Sequence, residues 1–278
     1  MIACFYPADK FPHKKIVKNF ALGLGNQAKV YPISVFLRNK KLPAGTTSVA
    51  FAGIIRGFGD LYKFCLRERV PFYYIDHSYF NPGYNTVEEW MRITKNNFLQ
   101  NSVVANATPN KFNKYFPNVS VQPWKEKRGE HILLIPPTDS VNYVFGTHNW
   151  QHHAELEIKK HTDRPIKIRE KESKLILNPD GSIKGWTKLH YSTTLAQDLN
   201  NAHCVVAYNS NVAVDAAIAG IPVFTSDNCA AYPISNAIKD IEDPYFKQRD
   251  QWVWSLANSQ FTRREMINGT AFEYLGKL

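Results

Sequence analysis

The chain has 278 residues, 44% of them hydrophobic and 13% aromatic, with a formal net charge of +10. That much apolar material excludes a disordered chain and suffices for one large core or two smaller ones. No run approaches the roughly 20 apolar residues of a membrane span, and the opening 1–7 is too soon interrupted for a signal peptide, so a cytoplasmic protein without a membrane partner is expected.

Short apolar runs alternate with stretches of helical spacing from the first residues onward. Ile2–Tyr6 reads as a strand, 14–22 as a helix and Val30–Phe36 as a second strand. A third strand follows at Ser48–Ala52, then a helix over 60–69, then an aromatic, β-branched strand at Pro71–Ile75. Strands joined in this way pair most simply in parallel. The polar, proline-containing stretch 118–129 separates this series from a second one. There, 131–135, 165–169, 204–208 and 221–225 read as strands, and 150–159, 194–202 and a segment from Asn211 read as helices. Residues 249–261 are helical by spacing, and Asn268-Gly269 marks a break before a last short turn. The expectation is an α/β protein of two Rossmann-like domains, 1–128 and 129–248, with a helical tail, 249–278, that packs back on the first.

Charge divides unevenly along the chain. Residues 1–128 carry 19 Lys and Arg against 7 Asp and Glu, while residues 129–278 carry 15 against 17. The first domain therefore suits a polyanion. Lys14, Lys15, Arg38, Lys40, Lys41 and Arg56 are its candidate phosphate contacts, the set expected of a DNA-binding surface. Phe11, Phe36 and Tyr84 are interspersed as either stacking platforms or core. Cys4, Cys65, Cys204 and Cys229 have no regular spacing, which points to reduced, mostly buried thiols. His148 and His152 stand one helical turn apart, but no carboxylate is placed to join them, so no metal is expected.

The chemistry concentrates at strand ends. Strand 204–208 runs straight through Asn209-Ser210 into a helix that Ser210 or Asn211 would cap, and free backbone N–H groups at such a start suit a diphosphate. Asp215 lies one turn inside that helix, within reach of ribose hydroxyls. Gly220 ends the helix and Pro222 opens the next strand. Lys167 and Arg169 alternate with Ile166 and Ile168, so both cations emerge on one strand face, suited to neutralising a leaving diphosphate. In the first domain, Tyr73–Ile75 ends in Asp76-His77, where α/β proteins place catalytic side chains; Asp76 is the first choice of general base and His77 the alternative. The glycine-rich turn 53–59 lacks the dinucleotide spacing and reads instead as a place where backbone approaches substrate, with Arg56 beside it.

Asn209-Ser-Asn-Val-Ala-Val-Asp-Ala-Ala-Ile-Ala-Gly-Ile-Pro-Val-Phe224 resembles the donor-site signature of GT-B glycosyltransferases, with aspartate where glutamate is commoner. The chain is also similar to glycosyltransferase-like proteins of tailed phages, through Asp243-Pro, Arg249-Asp-Gln-Trp252, Leu256-Ala, Gln260-Phe-Thr and Asn268-Gly-Thr-Ala271. The likeness covers about 195–275 well and the first half loosely. It implies a GT-B-like fold with parallel sheets facing across a cleft. It also implies a hexosyltransferase using a UDP-sugar, UDP-glucose first, as donor substrate, with no prosthetic group. Read with the basic first half, it suggests transfer to 5-hydroxymethyluracil or 5-hydroxymethylcytosine in phage DNA, inside an infected bacterium. Capsule-assembly transferases share a similar segment, which keeps a surface polysaccharide or lipid-linked acceptor open, as does a non-catalytic protein that binds nucleic acid or nucleotide.

Overall fold

The computed structural model describes residues 1–7, 12–80, 90–126, 129–170, 175–177, 179, 183–186 and 193–277. Phe11 and Tyr84 lie outside the described residues. Strands run β1 (Ile2–Tyr6), β2 (Ala28–Pro32), β3 (Ser48–Ala52), β4 (Phe72–His77), β5 (Met91–Lys95), β6 (His131–Ile135), β7 (Ile166–Ile168), β8 (Leu175–Leu177), β9 (Ile183–Trp186), β10 (Ala202–Ala207), β11 (Val223–Thr225) and β12 (Gln260–Phe261). The α-helices are α1 (Pro12–Leu24), α2 (Ser34–Asn39), α3 (Phe58–Arg67), α4 (Pro109–Tyr115), α5 (Asp139–Phe145), α6 (Trp150–Ile158), α7 (Leu195–Leu199), α8 (Val212–Ile218), α9 (Asp250–Asn258), α10 (Arg263–Ile267) and α11 (Thr270–Gly276). No helix among the described residues is long and apolar enough to cross a membrane.

Two compact units divide the chain. Unit 1 comprises Met1–Phe98, Ile176–Gly185 and Ser259–Leu278; unit 2 comprises Leu99–Leu175 and Trp186–Asn258. The division thus falls after Phe98 rather than at 128, because the stretch around 122–125 is stitched into unit 2: the backbone N–H groups of Gln122 and Lys125 donate to the carbonyls of Ile218 and Gly220 at 2.8 and 2.7 Å. The tail expected from 249 is likewise shared, α9 belonging to unit 2 and β12, α10 and α11 to unit 1.

Unit 1 is built on a sheet in the order β12-β5-β4-β3-β1-β2, with β1 to β4 parallel. The apolar runs of β1, β3 and β4 suit strands covered on both faces, whereas β2 is a partly exposed edge strand. One face is packed by α1, whose Ile16, Val17, Phe20 and Leu24 share a core with Met266, Ala271 and Leu275 of α10 and α11. On Phe51 of β3, meanwhile, lie the rings of Phe58, Tyr62, Phe72 and Tyr74, at centroid distances of 5.7 to 6.5 Å. Parallel pairing does not extend to β5, which runs antiparallel to β4 and sets Arg92 opposite Asp76. Nor does the expected strand over Val30–Phe36 persist. It stops at Pro32, which lacks the N–H a ladder needs, and the chain turns into α2, burying Phe36 against Phe5 and Phe64.

Unit 2 carries a parallel sheet in the order β11-β10-β6-β7. Taken in order of appearance, its strands repeat the 2-1-3-4 order of β1 to β4. Each unit therefore has a topological switch point at its strands' carboxyl ends, the place where α/β sheets bind ligands. All four cysteines are buried and free.

Several residues of the segment 243–271 serve packing. The guanidinium of Arg249 lies 3.9 Å from the Trp124 ring centre and donates to the carbonyls of Ala217 and Gln122, closing the C-terminal end of α8. Trp252 Nε1 donates to the Ala230 carbonyl at 2.8 Å. In unit 1, the fully buried Gln260 accepts the backbone N–H groups of Tyr79 and Phe80 through Oε1, at 2.7 and 2.9 Å. Gly220 ends α8 at φ +78°, and a Cβ there would stand 2.0 Å from the Pro123 carbonyl oxygen. Left-handed backbone costs an L-residue about 1–2 kcal/mol even without a clash. Gly220→Ala is therefore expected to destabilise the protein by more than about 2 kcal/mol in urea unfolding; an unchanged midpoint would refute this local account.

Candidate functional site

In unit 1 the switch point lies between β1 and β3. There the structure gathers His13 from the first turn of α1, Gly53 and Arg56 from the loop after β3, and Asp76 and His77 from the end of β4. His13 is 7% exposed. Its ring lies over Gly53, at φ +72°, where an added Cβ would meet Cε1 at 3.2 Å. The close approach expected of the glycine-rich turn is thus to an imidazole of the protein itself. Burial drives the His13 pKa down to about 4; the negative Asp76 pulls the other way, while His77 and Arg56 add to the lowering. His13 is therefore neutral at physiological pH, with Asp76 near enough to steady a proton that arrives on it.

Asp76 is held from several sides. Its Oδ2 accepts from Tyr74 Oη at 2.6 Å and from Arg92 Nη2 at 3.0 Å, and its Oδ1 accepts the His77 backbone N–H at 2.8 Å. Burial alone would raise its pKa, yet Arg92, His77 and these hydrogen bonds together bring it below the ordinary carboxylate value. Arg92, 5% exposed, also donates to the His77 carbonyl at 2.8 Å and lies over the Tyr79 and Phe98 rings. Arg92 was invisible as a site residue in the sequence because its partner is set by antiparallel register. His13 directly precedes Lys14 and Lys15 in the sequence, but the 13, 16, 17, 20 spacing places it on the buried face of α1.

The basic residues of unit 1 are dispersed among several environments. Lys14 and Lys18 lie over the Tyr6 ring, at 4.9 and 5.9 Å. Lys15, Arg38 and Lys41 are exposed. Lys40 pairs with Asp60 at 2.7 Å, and Arg56 belongs to the switch-point cluster rather than to an open basic face.

In unit 2, the turn after β10 forms the corresponding edge. Ser210 Oγ accepts the Val212 N–H at 3.2 Å, whereas Asn211 stands at the cap position without a side-chain cap bond. The turn is fastened from behind by Ser226 Oγ donating to the Tyr208 carbonyl at 2.6 Å and by Asn228 Nδ2 donating to Tyr208 Oη at 3.2 Å. Asn209 Nδ2 is buried and has no hydrogen-bond partner among the described residues. Arg169 is engaged with the buried Asp198 and with the carbonyl of Thr193 at 3.1 Å, while Lys167 on the edge strand β7 is exposed.

Asp215 is open to solvent, but the protein mass crowding it raises its pKa from 3.8 to about 6. Since the folded value exceeds the unfolded one, ionisation opposes folding. The cost appears as pH rises from about 4 to about 6 and persists above that. Asp215→Asn should then stabilise the protein against urea more at pH 7.5 than at pH 4, by under about 1 kcal/mol given its exposure; an equal effect at both pH values would refute the shift.

Among the described residues, no group of three or more His, Cys, Asp and Glu is gathered to hold a metal ion. No protein-family model matches the chain, and no curated protein does. Among solved structures, the chain is similar to two described as KpsC from Thermosulfurimonas dismutans. The beta Kdo 2,4 transferase shares 13% identity over 92% of this chain and 89% of its own, with a TM-score of 0.48. For the beta Kdo 2,7 transferase the identity is 12%, over 99% of each chain, with a TM-score of 0.46.

Proposed function

We propose that this protein is a glycosyltransferase that moves a sugar from a nucleoside diphosphate sugar, UDP-glucose being the first donor to test, to a hydroxyl of an acidic polymer. The observation that carries the reading is the pair of parallel sheets with switch-point edges of different chemistry. Unit 1 offers a neutral imidazole backed by an ionised carboxylate; unit 2 offers the polar turn 209–211 ahead of α8. In this mechanism His13 takes the proton from the attacking hydroxyl, whose oxygen bonds to the sugar's C1 as the bond from C1 to the diphosphate breaks. Asp76, its oxygens occupied by Tyr74, Arg92 and His77, steadies the resulting imidazolium; His77 is the alternative proton acceptor. Asn209, Ser210 and Asn211 receive the departing diphosphate, with Lys167 and Arg169 as supporting cations and Asp215 at the ribose.

The acceptor follows from charge. Unit 1 holds 18 Lys and Arg against 9 Asp and Glu, unit 2 16 against 15, so unit 1 carries nearly all the excess. DNA bearing 5-hydroxymethyluracil or 5-hydroxymethylcytosine, as in a phage genome, is the first acceptor, met by Lys14, Lys15, Arg38, Lys40, Lys41 and Arg56. The Lys40–Asp60 pair and the inward place of Arg56 favour a shorter anionic footprint, which supports an acidic surface polysaccharide as the second. Incubation with UDP-glucose and each acceptor, followed by digestion and mass spectrometry, separates them. A hexose gain on hydroxymethylated DNA supports the first and a gain on polysaccharide the second. Absence of any donor consumption with either would overturn the transferase reading.

A further inference from the structure

A polar pocket of about 190 Å³ opens at the carboxyl ends of β6 and β7, wholly within unit 2. Its walls follow from the local sequence. Pro136 and Pro137 end β6, and α5 begins at Asp139, whose carboxylate borders the pocket. α5 stops at Gly146, and Thr147 Oγ1 then donates to Asn142 Oδ1 at 2.8 Å, which leaves Asn142 Nδ2 to donate. Across the pocket, Gln151 Nε2 donates to Glu155 Oε1 at 2.9 Å, which leaves Gln151 Oε1 to accept. Glu170, just past β7, supplies a second carboxylate; neither it nor Asp139 has a side-chain hydrogen bond or ion pair among the described residues.

Among the described residues, this lining contains two carboxylates, one imidazole, His148, and no Lys or Arg. A phosphate would meet like charge from both carboxylates here. Carboxylates accept hydrogen bonds only, so the complementary ligand brings several donors without negative charge. A ring bearing adjacent hydroxyls meets that requirement, and Asn142 Nδ2 would answer its ring or glycosidic oxygen. The pocket also leaves the sheet beside the turn 208–211, since Ile135 and Ala207 are register partners on adjacent strands, about 5 Å apart.

We propose that this pocket binds a neutral polyhydroxylated sugar ring, with Asp139 and Glu170 accepting its hydroxyls and Asn142 and Gln151 completing the contacts. Its role as the ring subsite of the donor rests on the function proposed above; its binding does not. The ring has two sources: a pyranose, which leaves the ribose to Asp215, or the ribose of a nucleoside, which would take that role from Asp215.

The full chain is titrated at pH 7 with uridine, methyl glucoside, inorganic phosphate or magnesium chloride, and binding is followed by saturation-transfer NMR and calorimetry. Uridine or methyl glucoside should bind, and the one that does identifies the source. Asp139→Asn and Glu170→Gln should each weaken it about tenfold, with unchanged melting curves. Ring binding that neither substitution weakens, no ring binding, or magnesium binding that both abolish in place of a ring would overturn the proposal. Ring binding without sugar transfer on any acceptor would defeat the transferase reading and leave the pocket standing.

Discussion

Arg92→Leu is expected to destabilise the protein by about 3–5 kcal/mol, the range for stranding one member of a buried ion pair. The substitution removes the 3.0 Å bond to Asp76 and the 2.8 Å bond to the His77 carbonyl, and leaves a carboxylate at the end of β4 without its cation. The pH dependence has a definite sign. In the native protein Asp76 titrates below its ordinary value, so its contribution is fully present above the unfolded pKa of about 3.9 and is lost as pH falls through the lower folded one. In the variant the carboxyl should titrate above its ordinary value, since burial then dominates, and ionisation should oppose folding at neutral pH. Urea unfolding at pH 4 and pH 7 checks both. A loss below about 1 kcal/mol at pH 7 would mean that Arg92 and Asp76 do not depend on each other.

His13→Ala should lower the rate of transfer by about 10²–10⁴, the usual contribution of a general base, with little change in donor affinity. Because burial puts the His13 pKa at about 4, the imidazole is already neutral across the physiological range. The acid limb of kcat/KM should accordingly lie nearer pH 4 than pH 6.5. In stability terms protonation opposes folding, so this histidine's effect is absent above pH 6.5 and grows as pH falls toward 4. Asp76→Asn should reduce the rate less than His13→Ala if Asp76 positions and stabilises, and as much or more if Asp76 is itself the base. A variant without His13 that keeps its full rate, and is folded by circular dichroism, would remove the imidazole from the mechanism.

The parts of this architecture legible in the sequence are those fixed by local chemistry. Ile2–Tyr6, Ser48–Ala52 and His131–Ile135 are continuous apolar runs, and each is a buried parallel strand. Gly220 and Pro222 mark the end of α8 and the approach to β11 because backbone conformation constrains those residue types. What the sequence conceals depends on partners distant along the chain. β12 pairs with β5, and Gln260 bonds Tyr79 and Phe80 across about 180 residues. No local pattern announces either. Alternation placed Arg169 with Lys167 on an open face, but Asp198 engages Arg169 from another element. His13 was legible in principle: its helical spacing with Ile16, Val17 and Phe20 outweighed its adjacency to two lysines.

The central claim is that the edge after β10 in unit 2 receives a nucleoside diphosphate. Hydrogen–deuterium exchange of the full chain with and without UDP tests it most directly, because the turn's backbone N–H groups are the proposed contacts. The account predicts slowed exchange at 208–214, with a smaller effect at 136–142 and none confined to unit 1. Unchanged exchange at 208–214 at saturating UDP, or protection found only in unit 1, would contradict it.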